Sequence, residues 1–90
     1  MGDFERAAEK LKVLAHADRL RIMVALCGGE ACVNDLCEKM GILQTTLSQH
    51  LGVLRRTGLV KRRRRGRRVF YSVADRAVAR CVREQVDKLG

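Results

Sequence analysis

The sequence predicts a mainly α-helical domain completed by one small β-hairpin, in the order helix, helix, helix, helix, hairpin, helix. Three observations carry this. Apolar residues recur at helical spacing in five segments, short glycine-containing breaks follow the second and third of them, and one basic stretch around a glycine suits two strands better than a helix. With 90 residues, no proline, no low-complexity linker and no internal repeat, residues 1–90 read as a single domain. Aromatics make up 3% of the chain against 47% hydrophobic residues overall, so the core has to be assembled from Leu, Val, Ile and Ala.

The first segment, Asp3 to Ala15, places Phe4, Ala8, Leu11 and Leu14 on one helical face, with Asp3 as its cap. Asp18 is then placed to cap a second helix in which Leu20, Met23, Val24 and Cys27 recur before Gly28 and Gly29 stop it. A short third helix from about Val33 to Met40 buries Val33, Leu36 and Met40, and Gly41 ends it in a left-handed turn. In the fourth, from about Gln44 to Thr57, Leu47, Leu51 and Leu54 form the buried stripe. From Leu59 the pattern changes to Leu-Val, a basic run, and Val69-Phe70-Tyr71-Ser72-Val73, which reads as two strands joined at Gly66. Asp75 caps a last helix with Val78, Cys81 or Val82, Val86 and Leu89 on its apolar face.

A domain this small buries only about 60–65% of its unfolded surface, so a second copy supplying further burial is expected, and the domain reads as homodimeric. Nineteen Lys and Arg against ten Asp and Glu give a formal charge of +9 and a pI near 10.3. So strong an imbalance in so short a chain calls for an anionic partner, and nucleic acid is the default. No apolar run approaches the roughly 18 residues of a spanning helix, so no membrane partner is expected. The N-terminus carries no basic-then-apolar signal pattern, which predicts a cytoplasmic protein whose four cysteines are reduced. Neither a glycine-rich phosphate loop nor a nucleophile with a recognisable base is present, so an enzyme is not expected.

A short helix, a glycine turn and a second helix that opens on polar residues form a helix-turn-helix, whose second helix fits the DNA major groove with its N-terminal residues at the base edges. Gln44, Thr45, Thr46, Ser48 and Gln49 offer amide and hydroxyl groups there, and a glutamine can pair with adenine at two atoms. Beyond this helix, seven of the eight residues Lys61 to Arg68 are basic, with Gly66 as the tip. Lying between a helix and a Val-Phe-Tyr strand, the run reads as a β-wing whose Arg64, Arg65 and Arg67 grip phosphates or the minor groove, with Arg55 flanking the helix. About five such contacts predict a log–log salt slope of about −4 to −5. A sequence-indifferent architectural nucleic-acid binder, or a module that docks on an acidic protein, would also account for the basic run.

The stretch Leu11-Lys-Val-Leu-Ala-His-Ala-Asp-Arg-Leu-Arg-Ile, then Thr46-Leu-Ser-Gln-His-Leu-Gly-Val-Leu-Arg-Arg-Thr-Gly-Leu-Val, then Gly66-Arg-Arg-Val-Phe-Tyr-Ser-Val, resembles the ArsR/SmtB family of bacterial winged helix-turn-helix repressors over nearly the whole chain. The resemblance implies a transcriptional regulator bound to palindromic double-stranded operator DNA and released by an inducer. It implies a homodimer paired through the first and last helices, where Phe4, Leu11, Val78, Val82 and Val86 lie, and it places His50 with Gln44 to Gln49 on the DNA-reading helix. His50 itself reads as a packed or phosphate-contacting residue, and His16, in the loop between the first two helices, is assigned no role. Leu43 stands where many relatives have a capping serine, so packing is expected to fix that helix start instead.

Relatives that sense arsenite or antimonite carry cysteines on the first helix of the reading motif. Cys32 and Cys37 match two of those positions, with Asn34 where a third cysteine is often found, and thiolates suit As(III), Sb(III) or another thiophilic metal as inducer. Five positions apart on a straight helix point about 140° from one another, so Cys32 has to act from a non-helical cap position. No resident cofactor is required by this reading, and the structural alternative is that Cys37 packs beside Leu36 and Met40 as a small core residue and the thiols have no sensing role. Cys27 and Cys81 offer a second possibility, thiol-redox or reactive-sulfur sensing, although oxidant-sensing relatives place their pair at positions held here by Val24 and near Gly90. A zinc site on the last helix is not expected, because no histidine lies between Asp75 and Gly90.

Overall fold

A computed structural model describes residues 2–90. The elements follow one another as α1 (Asp3–Leu14), α2 (Ala17–Cys27), β1 (Ala31–Cys32), α3 (Val33–Met40), α4 (Gln44–Arg56), β2 (Val60–Arg65), β3 (Arg68–Val73) and α5 (Arg76–Leu89). Five helices and the hairpin stand where the apolar spacing put them. The strand β1 was not expected, since two residues are too few to show alternation. It exists because β3 has a free edge: Ala31 pairs with Tyr71 and Cys32 with Phe70, so the hairpin becomes a three-stranded antiparallel sheet of order β1-β3-β2.

Two caps also differ from the pattern. Asp3 is the first residue of α1 rather than its cap, and its carboxylate accepts from Arg6 at 2.9 Å. α2 is capped by His16, whose Nδ1 accepts the Asp18 N–H at 3.2 Å, while Asp18 sits in the first turn and accepts from Arg21 at 2.6 Å. Asp75 does cap α5, accepting the Val78 N–H at 3.1 Å. Gly41 ends α3 in the left-handed region (φ 66°), where a β-carbon is unfavourable, and its N–H returns to the Cys37 carbonyl at 2.8 Å. α4 stops at Arg56, with Thr57 as its C-cap and the Thr57 hydroxyl donating to the Val53 carbonyl at 2.6 Å.

The core is aliphatic, as the composition requires. Ile22, Met23, Leu36, Leu47, Leu51, Leu54 and Leu59 are fully buried, with Leu14, Leu26, Val60, Tyr71, Ala79 and Val82 around them. α2 runs through its middle and touches α1, α3, α4, α5 and β3. Val33 and Met40 are only half-buried at its edge. On α1 only Leu14 is buried; Phe4 and Leu11 project outward, 90% and 63% exposed, with Val86 and Leu89 of α5 also exposed. Val82 turns into the core instead, and Val78 is half-buried against it.

Truncating Leu51 removes a side chain with no exposed surface from the centre of this packing. Leu51→Ala is expected to destabilise the fold by about 2–5 kcal/mol in chemical denaturation, whereas Leu43→Ala, at an exposed position, stays within about 0.5 kcal/mol.

Candidate nucleic-acid interface

Burial of Leu47, Leu51 and Leu54 at i, i+4 and i+7 leaves one face of α4 outward. Gln44, Thr45, Ser48 and Gln49 are exposed on it, and Thr46 is half-buried. Leu43 precedes them at the N-cap with no side-chain hydrogen bond, and at 73% exposed it neither caps the helix nor fixes its start by packing. The Leu47 N–H to Leu43 carbonyl bond at 3.0 Å closes the first turn. With no acidic residue in that turn, the positive end of the α4 dipole stays available to an anion.

The wing is the β2–β3 hairpin. Arg65 pairs with Arg68 across a two-residue turn, Gly66-Arg67, and the positive φ of Gly66 (63°) with none at Arg67 fits a type II′ turn. The seven basic residues then divide. Arg63 places its guanidinium on both oxygens of Glu30, at 2.6 and 3.0 Å, and holds that carboxyl below its ordinary range. Arg63 and Arg68 also flank the Phe70 ring at 5.9 and 5.6 Å. Arg68 donates to the Cys32 sulfur at 3.3 Å. Lys61 turns toward a cleft against α5. Arg62, Arg64, Arg65 and Arg67 remain exposed and, among the described residues, have no carboxylate partner. Arg62 is the addition to the residues that sequence reasoning selected.

Helix and wing meet. A groove of about 250 Å³ is lined by Cys32, Val33 and Asn34 at the start of α3, Gln44 at the start of α4, and Arg67, Arg68 and Val69 of the wing. The Gln44 amide and a wing guanidinium thus border the same space. Arg55 is exposed at the far end of α4, where with Arg56 it also complements the helix dipole.

Residues 16–62 match the family model described as bacterial regulatory protein, arsR family. The chain belongs to that family. A transcriptional repressor SmtB homolog of Synechocystis sp. is 44% identical over 85 residues, which are 94% of this chain and 64% of the relative, so the chain spans less than two thirds of that relative's length. Among solved structures, HlyU from Vibrio cholerae N16961 superposes with a TM-score of 0.86 at 34% identity, covering 99% of this chain and 97% of that one. The same protein is named a transcriptional activator. A homodimeric winged helix-turn-helix DNA-binding domain from Mycobacterium bovis superposes with a TM-score of 0.83 at 33% identity, covering 99% and 86% of the two chains.

In this arsR-family chain His50 departs from its neighbours on α4. It is 9% exposed and faces inward, where Arg19 Nε donates to its Nδ1 at 3.2 Å while Arg19 Nη1 holds the Val13 carbonyl at 3.1 Å. The His16 ring lies 4.6 Å away and Asp18 Oδ2 4.0 Å from His50 Nε2. His50 therefore ties the reading helix to the α1–α2 junction and is not a base-reading residue, and His16 gains a role as cap and neighbour. Ligand atoms of His16, Asp18 and His50 lie within 4.8 Å of one another. A cation there would meet opposition: with Nδ1 accepting from Arg19, the ring proton sits on Nε2, and Arg19 and Arg21 flank the site. The arrangement works as a hydrogen-bonded junction.

The cysteines are all free thiols. Cys32 stands at the N-cap of α3 in an extended conformation, buried, without capping the helix through its sulfur. Cys37 is half-buried beside the core. Cys27 donates to the Ala79 carbonyl at 3.7 Å, and Cys81 is exposed.

Burial, then the charges of His16 and Arg19, hold His50 below the ordinary imidazole range, with Asp18 opposing. The folded state keeps it neutral while the unfolded chain protonates it, so its contribution is complete above about pH 6.5 and is lost as the pH falls. Asp75 behaves alike at lower pH: the Lys10 ammonium 2.6 Å away, and then the Val78 N–H, hold its carboxyl low, and that contribution is lost below about pH 4. The melting temperature is expected to fall between about pH 7.5 and about pH 5, and His50→Gln, which keeps an acceptor for Arg19 but cannot titrate, should flatten that interval. An unchanged profile in the variant would remove His50 from the account.

Proposed function

We propose that the protein is a sequence-specific DNA-binding transcriptional regulator that acts as a repressor, working as a homodimer in the bacterial cytoplasm. The observation that carries this is the shared groove: Gln44 of α4 and Arg67 of the wing line one space, so base reading and phosphate contact are delivered together. Gln44, Thr45, Ser48 and Gln49 read base edges, and Arg62, Arg64, Arg65 and Arg67 engage the backbone. The relatives' names include both repressor and activator. Repressor is the commoner of the two names among them, which favours the repressor reading.

The homodimer reading rests on the exposed apolar residues Phe4, Leu11, Val86 and Leu89 of α1 and α5 and on the homodimeric M. bovis relative. Val78 borders the cleft between α1 and α5.

For the inducer we favour a thiophilic metalloid or metal such as As(III) or Sb(III), captured through Cys32 with Cys37 as the second thiol. Support comes from the Arg68 guanidinium on the Cys32 sulfur: ligation takes that sulfur away from the wing strand, which weakens DNA binding by deforming the reading surface. A Cys27–Cys81 disulfide has less support. Cys27 packs on Ala79, and two residues further along a helix is about 200° around it, which turns Cys81 to the opposite side.

Fluorescence anisotropy with DNA from the protein's own upstream region tests the reading. Gln49→Ala should lower the preference for that DNA over random sequence by about 1–3 kcal/mol, whereas Arg65→Gln with Arg67→Gln should weaken binding to all DNA and flatten the log–log salt slope by about 1 per arginine. Equal effects on specific and random DNA in both variants would contradict it. Arsenite is expected to release the reduced protein, and Cys32→Ser to remain bound; release of both alike would take Cys32 out of the mechanism.

A further inference from the structure

A second cleft, of about 460 Å³, opens between the C-terminal end of α2, the base of the wing and α5. Its volume falls within the roughly 300–1,000 Å³ of small-molecule sites. Leu26, Val73 and Ala79 give it apolar walls, and Lys61, Arg76, Arg80 and Arg83 bring four cations to its lining. The carboxylate at its rim, Glu30, is already held on both oxygens by Arg63. Among the described residues, Lys61, Arg76 and Arg80 make no ion pair, and Arg83 has only a 3.9 Å contact with Asp87, both side chains being more than half exposed.

This charge placement runs against the helix that carries it. Arg76, Arg80 and Arg83 recur at i, i+4 and i+7, so three like charges share one stripe and repel one another. Arg76 is also the first residue of α5, beside the N-cap Asp75, whose carboxylate is engaged by the Val78 N–H and by Lys10 and so leaves the arginine stripe itself unneutralised. An anion in the cleft would relieve that repulsion. On β2, alternation puts Lys61 on the opposite face from Arg62 and Arg64, so the cleft is not a continuation of those two wing contacts.

We propose that this cleft binds a small organic polyanion, its acidic groups on Lys61 and the Arg76–Arg80–Arg83 stripe and its short apolar body against Leu26, Val73 and Ala79. Carboxylates and phosphate esters share this chemistry. The occupant bridges the wing base to α5, so it is positioned to set the angle between them. The binding itself requires no DNA, and it is tested without DNA.

The experiment is isothermal titration of the full chain with glutarate and, separately, inorganic pyrophosphate, at matched ionic strength. Saturable binding that weakens at least tenfold in the Arg80→Gln/Arg83→Gln variant and persists in Arg64→Gln supports the site. A preference for glutarate assigns it to carboxylates, and one for pyrophosphate to phosphates. No saturable binding of either probe, or an equal loss in Arg64→Gln, overturns the proposal. If the double variant instead weakens DNA binding as the wing variants do while neither anion binds, the stripe is DNA-backbone surface and the proposal fails, with the DNA-binding reading intact.

Discussion

Burial of the Leu47–Leu51–Leu54 stripe is the constraint from which the functional surface follows. A helix rotates about its axis until its apolar residues are covered, and here three leucines with no exposed surface leave α4 one permissible rotation. That rotation, rather than any preference of the polar residues themselves, turns Gln44, Thr45, Ser48 and Gln49 to solvent. α2 completes the arrangement because Ile22, Met23 and Leu26 supply the surface on which the other helices converge. A 90-residue chain has little redundancy in such a core, so the specificity of the interface and the stability of the fold draw on the same side chains.

Polar contacts then lock elements that aliphatic packing alone would leave free to slide. His50 and Arg19 join the reading helix to the α1–α2 junction, and Lys10 joins α1 to the cap of α5 through Asp75. Both depend on protonation state, in the same direction: acid loosens them. Arg63 on Glu30 does comparable work where the wing leaves the body. On a chain of net charge +9 these pairings also select which cations are taken inward and which stay available for a partner.

The helices were legible because each carries an apolar period long enough to read, and the wing because seven basic residues around one glycine sit between a helix and a β-branched, aromatic strand. Residues whose position depends on a distant partner were not legible. β1 is two residues long and is created by the edge of β3; nothing local in Ala31-Cys32 announces it. His16 became a cap because Ala17 begins the helix one residue before the aspartate that looked like the obvious choice. The resemblance placed His50 on the DNA-reading helix while the residue itself read as packed or phosphate-contacting; one step of 100° beyond Gln49 carries it to the buried side, where Leu47 and Leu51 already lie, and helical phase decides between the two. Val82 went to the core rather than to an outer face for the same reason of phase. The Arg68–Cys32 contact joins residues 36 apart and needs the sheet to be known first.

Cys32 belongs to two elements at once, closing β1 and standing at the N-cap of α3. Through it the central strand of the sheet is fastened to the first helix of the reading motif without any intervening loop. The wing is therefore not a loose finger hinged at its base but the long arm of a lever whose short arm is α3. A displacement of the Gly66-Arg67 tip is passed along β3 to its two pairs with β1, Ala31–Tyr71 and Cys32–Phe70, and from Cys32 directly into α3. Stiffness of that joint limits how far the wing and the α3–α4 pair can be moved apart.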